Sequence, residues 1–242
     1  MNKQNFPFDI NCDLGEGLSI DALLMPYLGS CNIACGGHAG NEQTIRETIR
    51  LAKKHQVKIG AHPSYPDPLN FGRLKMEISL ESLKNSLISQ LSIFRDLANE
   101  ENIEIHHIKP HGALYNFSAQ DHSTASLILD ILENEFSGPY LYCPPNSLIS
   151  QMAEERHIPI KREVFADRNY NDDGSLVSRT KSNAVIKDGD EVLDHIKIMV
   201  EKGNIKTATG NIIPIQADTI CIHGDNSNAV GILKNIHKYF NL

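Results

Sequence analysis

Ile103-Glu104-Ile105-His106-His107-Ile108-Lys109-Pro110-His111-Gly112 starts as an alternating apolar run and ends in charge. Residues Ile103 to Lys109 read as a β-strand, and Pro110 ends it because proline has no N–H to give to a ladder. Successive side chains of a strand alternate, so Lys109 and His111 leave it on the same side, with Pro110 stiffening the exit. An ammonium and an imidazole are thereby held together at the end of a buried strand. Lysine can stabilise an oxyanion or bind phosphate, and histidine can move protons near neutrality. Taken alone, the pair is equally an exposed loop lysine and a capping histidine.

The same pattern recurs in both directions along the chain. Upstream, Phe8–Asp13 reads as a strand ending in Asn11, Asp13 and Glu16. Cys31–Cys35 runs into Gly36-Gly37-His38-Ala39-Gly40, and Val57–His62 ends at His62-Pro63. Downstream, Tyr140–Cys143 stops at Pro144-Pro145, Ile158–Phe165 leads to Asp167-Arg168, and Thr219–His223 leads to Gly224-Asp225. Between the strands lie helical periods. Ile45, Ile49 and Ala52 mark one; Leu80, Leu83, Leu87, Leu91, Phe94 and Ala98 mark the clearest, with Ser79 placed to cap it. Ala125, Ile128, Leu129 and Leu132 mark another, and Asn146 is placed to cap a short helix through Met152. Val192, Ile196 and Met199, and then Ala229, Leu233, Ile236 and Phe240, stripe the last two.

Repeated βα units make a parallel sheet with right-handed crossovers. The expected fold is α/β, an irregular seven-stranded parallel β/α barrel, with residues 1–242 forming one domain. The polar strand ends favour a barrel over an open sheet, because a barrel gathers them at one mouth where such folds place chemistry. A single strand-end histidine is more often packed than catalytic, and a single Asp before Gly is usually a turn residue. Polar motifs at the same end of six strands are harder to explain as turns. Gly36, Gly37 and Gly40 either let backbone amides approach an anion or simply make a tight turn.

Composition excludes several classes. A net charge of -7 without a Lys/Arg cluster argues against nucleic acid and anionic membranes as partners. No apolar run approaches the ~20 residues that span a bilayer. Met1–Pro7 has no apolar signal-like segment, and the five cysteines include no CxxC pair, so reduced, mostly buried thiols and a cytoplasmic setting are expected. His107 and His111 have a His-x3-His spacing, but on a strand interrupted by Pro110 this is a weak metal signal in a chain with 11 His. There is no P-loop, so any ATP is bound unconventionally or by a partner.

Together the motifs resemble the LamB/YcsF family. The segments that carry the resemblance are Asp9–Glu16, Asn32–Gly40, Gly60–Pro63, Ile108–Asn116, Glu163–Arg168, Asp173-Gly174 with Arg179, and Cys221–Asp225, in the family's order and across nearly the whole chain. Lys109-Pro110-His111-Gly112-Ala113-Leu114-Tyr115-Asn116 and Phe165-Ala166-Asp167-Arg168 are long and specific. The resemblance implies a barrel of the glycoside hydrolase/deacetylase type and the A component of a 5-oxoprolinase. That enzyme acts with B and C subunits to convert 5-oxo-L-proline, ATP and water to L-glutamate, ADP and phosphate. The chain departs from the family at Gly37, where Phe is usual, at Asn41, where Asp is usual, and at Leu74, where a second Arg follows Arg73.

For that chemistry the expected catalytic residues are Asp13, His38, His62, Lys109, His111 and Asp167, and the expected substrate-binding residues are Asn11, Glu16, Arg73, Arg168, Arg179, His223 and Asp225. Asp13, His38 or His62 would be the base, Lys109 and Arg168 would hold phosphate, and His111 and Asp167 would shuttle protons. Replacing Asp13 or Lys109 with Ala is expected to abolish turnover with the fold intact. ATP is the expected cofactor; a divalent metal and self-association are left open. The rival reading is a stand-alone metal-dependent hydrolase of N-acyl or sugar substrates with Asp13, His38 and His62 as ligands. A third is a non-catalytic scaffold for the partner subunits.

Overall fold

Strand β1 (Asp9–Leu14) pairs in parallel with β2 (Ser30–Ala34), and β3 (Lys58–His62), β4 (Ile105–Ile108), β5 (Tyr140–Cys143) and β6 (Ile160–Phe165) follow in sequence order. Two further strands, β7 (Asn204–Lys206) and β8 (Ile212–Pro214), form a separate antiparallel hairpin, and β9 (Thr219–Ile222) pairs with both β6 and β1 to close the barrel. This computed structural model describes residues 6–242, so the reading of Met1–Asn5 lies outside it. The expected seven-stranded parallel barrel is the observed one.

The helices are α1 (Asp21–Leu24), α2 (Glu42–His55), α3 (Leu80–Glu100), α4 (Gly112–Ser118), α5 (His122–Glu135), α6 (Leu148–Glu155), α7 (Gly189–Lys202) and α8 (Ala229–Phe240). Helix α3 begins where Ser79 accepts from the Ser82 amide, and it buries Leu83, Leu87, Leu91, Phe94 and Leu97. Each such burial is worth ~1.5–3 kcal/mol. Asn41 caps α2 and forms a reciprocal capping box with Thr44. The cap of α6 is Ser147 rather than Asn146, because Asn146 takes a left-handed conformation (φ +56°) that turns the chain before the helix starts. The short α4 and the β7–β8 hairpin carry no long periodic stripe, and sequence pattern does not resolve them.

Strand alternation gives the barrel two different faces. Ile10, Cys12, Leu14, Cys31, Ile33, Ile59, Ala61, Leu141, Cys143, Val164, Ile220 and Ile222 join the apolar core shared with the helices. The other face meets across the barrel interior and is polar. Asn11 donates to Thr219 at 2.7 Å, Asn32 donates to Asn11 at 2.7 Å, and His107 donates to Asn32 at 2.6 Å. Gly60 leaves the space His107 needs: a Cβ there would lie 2.1 Å from the imidazole Nε2. All five cysteines are free and buried. No helix among the described residues is long and apolar enough to cross a membrane.

Candidate active site

Above the polar layer the barrel opens into a cavity of about 990 Å³. Its floor is built from the ends of β1, β4 and β6. Lys109 Nζ lies 2.8 Å from Asp13 Oδ1, 3.0 Å from Glu163 Oε1 and 3.3 Å from Cys221 Sγ, and the residue is only 2% exposed. Asp13 and Cys221 accept hydrogens of the ammonium, and Glu163 pairs with its charge. Burial works against that charge, but Asp13 above all, then Cys221 and Glu163, hold the Lys109 ammonium well above lysine's usual value. Burial likewise opposes ionisation of Asp13. His62 and Lys109 outweigh it and keep the carboxyl well below the usual range. Asn32 also donates to Asp13 Oδ1 at 2.7 Å, which fixes the carboxylate plane.

One wall is imidazole. His62 lies 3.4 Å from Asp13 Oδ2, and His111 lies 2.9 Å from His62 and 3.7 Å from Glu16. His38 is bonded to Glu16 at 3.1 Å and stacked on His111, with ring centroids 3.6 Å apart and nearly parallel planes. Burial lowers the pKa of both His38 and His111. The turn Gly36–Gly40 that carries His38 is closed by its own backbone, with the Gly36 amide bonded to the Ala39 carbonyl. At Gly37 a Cβ would come within 2.5 Å of both Ser64 Oγ and Gln90 Oε1, so Gln90, bonded to the Ser64 backbone, fills the space beside the turn.

The opposite wall comes from β9 and the loop after β6. His223 donates from Nδ1 to Asp167 at 2.8 Å, and Asn226 donates to the other Asp167 oxygen at 3.0 Å. Burial raises the cost of charge on Asp167, but His223 overcomes it and keeps the carboxyl below its ordinary value. The bond leaves His223 Nε2 free, and His223 lines the cavity. At the rim, Arg73 and Arg179 share the single carboxylate of Asp225.

The family profile of LamB/YcsF proteins matches residues 8–241. The chain belongs to the LamB/YcsF family. Among its relatives, the 5-oxoprolinase A component of Pyrococcus abyssi is 40% identical over 235 residues, covering 95% of this chain and 92% of that protein. The 5-oxoprolinase A component of Staphylococcus aureus is also 40% identical, covering 95% and 94%. The crystal structure of a lactam utilization protein from Thermus thermophilus superposes with a TM-score of 0.89 at 30% identity over 97% of each chain. A family 4 carbohydrate esterase from Streptomyces lividans shares the fold, with a TM-score of 0.51 at 9% identity, over 98% of this chain and 88% of that one.

In this LamB/YcsF chain Asp13, Glu16, His62, Arg73, Lys109, His111, Arg168, Arg179, His223 and Asp225 all line the cavity, as expected from their strand-end positions. Three expected residues do not. Asn11, expected to bind substrate, is fully buried below the floor with its amide spent on Thr219 and Asn32. His38 sits behind Glu16 and His111. Asp167, expected to shuttle protons, is fully buried and supports His223, which takes the exposed place. The expected phosphate-holding role of Lys109 and Arg168 also conflicts with their bonding. Lys109 is bonded to Asp13 and Cys221 and ion-paired to Glu163, and Arg168 is bonded to the backbone carbonyls of Val177 and Ala184 at 2.6 and 3.1 Å. His107 and His111 part company, His107 stacking on Tyr142 in the polar layer.

Glu163 and Tyr115 also line the cavity, and the sequence-based set omits them. A glutamate beside Val164 and Phe165 in a buried strand needs a cationic partner, and Lys109 is the one available; that pairing was the missed signal. Tyr115 is placed by α4, whose seven residues are too short for a periodic signature.

Proposed function

We propose that this chain is the catalytic A component of an ATP-dependent 5-oxoprolinase, acting with B and C subunits in the cytoplasm. The observation that carries this reading is the cavity floor, where a buried ammonium is locked between two carboxylates in a chain 40% identical over 95% of its length to a 5-oxoprolinase A component. The free, buried thiols fit a reducing compartment.

A five-membered lactam is a stable amide, and its carbonyl is a poor electrophile. Phosphorylation of the amide oxygen turns that oxygen into a leaving group, after which water attacks the carbon. The step needs a base for the water and an acid for the ring nitrogen. His223 fits proton transfer, since Asp167 fixes its tautomer and leaves Nε2 facing the cavity. Asp13, held ionised and oriented by Lys109 and Asn32, fits the role of positioning the attacking water. Lys109 bridges two buried carboxylates rather than binding an external anion. That task fits Arg73 and Arg179, which would exchange their shared Asp225 for the substrate carboxylate or a phosphate. No P-loop is present, which supports an ATP site either on a partner or of an unconventional kind on this chain.

The decisive assay is glutamate release from 5-oxoproline with ATP, by this chain alone and mixed with its candidate B and C partners. Release only in the complete mixture is expected. Release by the chain alone without ATP would make it a simple hydrolase, and no release from folded, complete mixtures would remove 5-oxoproline as the substrate.

A further inference from the structure

The imidazole wall contains a conflict between electron pairs. His62 Nδ1 lies 2.7 Å from the Lys109 carbonyl, and His111 Nε2 lies 2.9 Å from the Phe71 carbonyl. A carbonyl can only accept, so each bond fixes the one proton of a neutral ring. The nitrogens left over, His62 Nε2 and His111 Nδ1, then carry lone pairs, and they face each other at 2.9 Å. Two carboxylate oxygens close on the same point: Glu16 Oε1 at 3.7 Å from His111 Nδ1, and Asp13 Oδ2 at 3.4 Å from His62 Nε2. Four electron-rich atoms converge in a nearly closed place, and a positive centre must lie among them. It is either a proton shared between the rings or a metal cation.

We propose that a first-row divalent cation of zinc's class binds at this point, held by Glu16 Oε1, His62 Nε2 and His111 Nδ1. Two imidazoles and a carboxylate are the donor set that suits such ions. The separations of 2.9 and 3.7 Å bracket the ~3.3 Å between ligand atoms around a tetrahedral zinc. The His62 and His111 rings stand at 89° to each other, so both in-plane lone pairs can point at one centre. Each ring also donates the N–H of its other nitrogen to a backbone carbonyl, the support that fixes tautomer and orientation in metal-bound histidines.

His38 has a donor atom within 4.8 Å of the other three, but its geometry puts it in a different role. Its ring lies parallel to His111 with centroids 3.6 Å apart, so the in-plane lone pairs of the two run side by side and cannot meet at one ion. Instead its Nε2–H donates to Glu16 Oε1 and positions that carboxylate. Glu16, His62 and His111 line the cavity, so an ion among them keeps an open side toward it, flanked by Asp13.

The test is metal uptake by the full chain alone, so its outcome is independent of the proposed reaction. Chelator-treated protein at about pH 8, above the ~6.5 of a free imidazole, is titrated with Co²⁺ alone and read by visible d–d absorption, then by calorimetry with Zn²⁺. Saturation at one equivalent, with displacement of Co²⁺ by Zn²⁺, is expected. His111→Ala and Glu16→Gln should each abolish that signal while circular dichroism shows the fold retained. His38→Ala should retain binding, weakened roughly 10–100-fold. Absence of stoichiometric uptake by the wild-type chain would overturn the proposal and assign the position to a shared proton. Uptake undiminished in both Glu16→Gln and His111→Ala would overturn it as well.

Discussion

Two polar layers lie one above the other inside the same barrel, and they are finished differently. In the lower layer the groups of Asp9, Asn11, Ser30, Asn32, His107, Tyr142 and Thr219 answer one another: Thr219 accepts from Asn11 and donates to Asp9, and His107 donates to Asn32 while its Nδ1 meets that of His106 at 3.1 Å. In the upper layer groups are left over. Tyr115 Oη, His38 Nδ1 and both Glu163 oxygens have no hydrogen-bond partner among the described residues, only Glu163 Oε1 is ion-paired, and two imidazole nitrogens face each other at 2.9 Å. A buried polar group without a partner costs ~1–3 kcal/mol, so unpaired groups are kept where something else will pair with them. The contrast separates the layer that holds the barrel from the layer that meets a ligand.

The largest test of this division is Lys109→Met. It leaves Asp13 and Glu163 buried with no cation between them, and breaking such a group costs ~3–5 kcal/mol. Glutamate release should fall to background, and urea unfolding should show the loss of stability. The expectation of an intact fold on losing this residue therefore gives way once its burial is known. Adding Asp13→Asn and Glu163→Gln should restore stability, because the uncompensated charges are gone, but not turnover. Native stability in the single variant would mean that the upper layer is not held by this cation.

Much of this was legible in the chain because strand and helix periods survive without tertiary information. All seven barrel strands and their order follow from apolar runs, and ten of the thirteen expected site residues reach the cavity. What failed was the sense of depth along a strand. Asn11 and Asp13 lie on the same face two residues apart, yet the first belongs to the lower layer and the second to the cavity floor. Alternation fixes the side of a strand and not the height at which the barrel opens. Height also separates His107 from His111, and partner choice separates Asp167 from His223. Neither quantity exists before the strands are in register. The substitutions relative to family habit at Gly37 and Asn41 became readable only when Gln90 and the α2 capping box were seen beside them.

A smaller effect should come from Thr219→Val, which keeps shape and removes one hydroxyl from the closed layer. Asn11 then loses its acceptor and Asp9 a donor, at ~1–3 kcal/mol. Denaturant midpoints should fall while kcat of the folded enzyme stays within error of wild type. A selective fall in kcat would move the lower layer into the reaction and erase the division between the layers.

The smallest effect per group is a pH dependence of stability, and its sign follows from the lower layer's histidines. Burial pushes His107 well below the ordinary imidazole value, and burial with nearby Lys58 and Lys161 takes His106 down to about 4. A folded pKa below the unfolded one means that the unfolded chain binds the extra proton first. Their contribution is therefore complete above ~6.5 and declines as pH falls below it, by at most ~1.4 kcal/mol per pH unit for each ring. Asp13 and Asp167, whose folded pKa values are also lowered, add a loss that begins only below ~3.9. Urea midpoints should thus begin to fall near pH ~6.5, before the carboxylates titrate. His107→Gln, which keeps a donor for Asn32 but cannot be protonated, should flatten the upper part of that decline. A profile flat down to pH ~4.5 in the wild-type chain would mean that the lower layer accepts protons as readily as the unfolded chain, and that its hydrogen bonds are not closed.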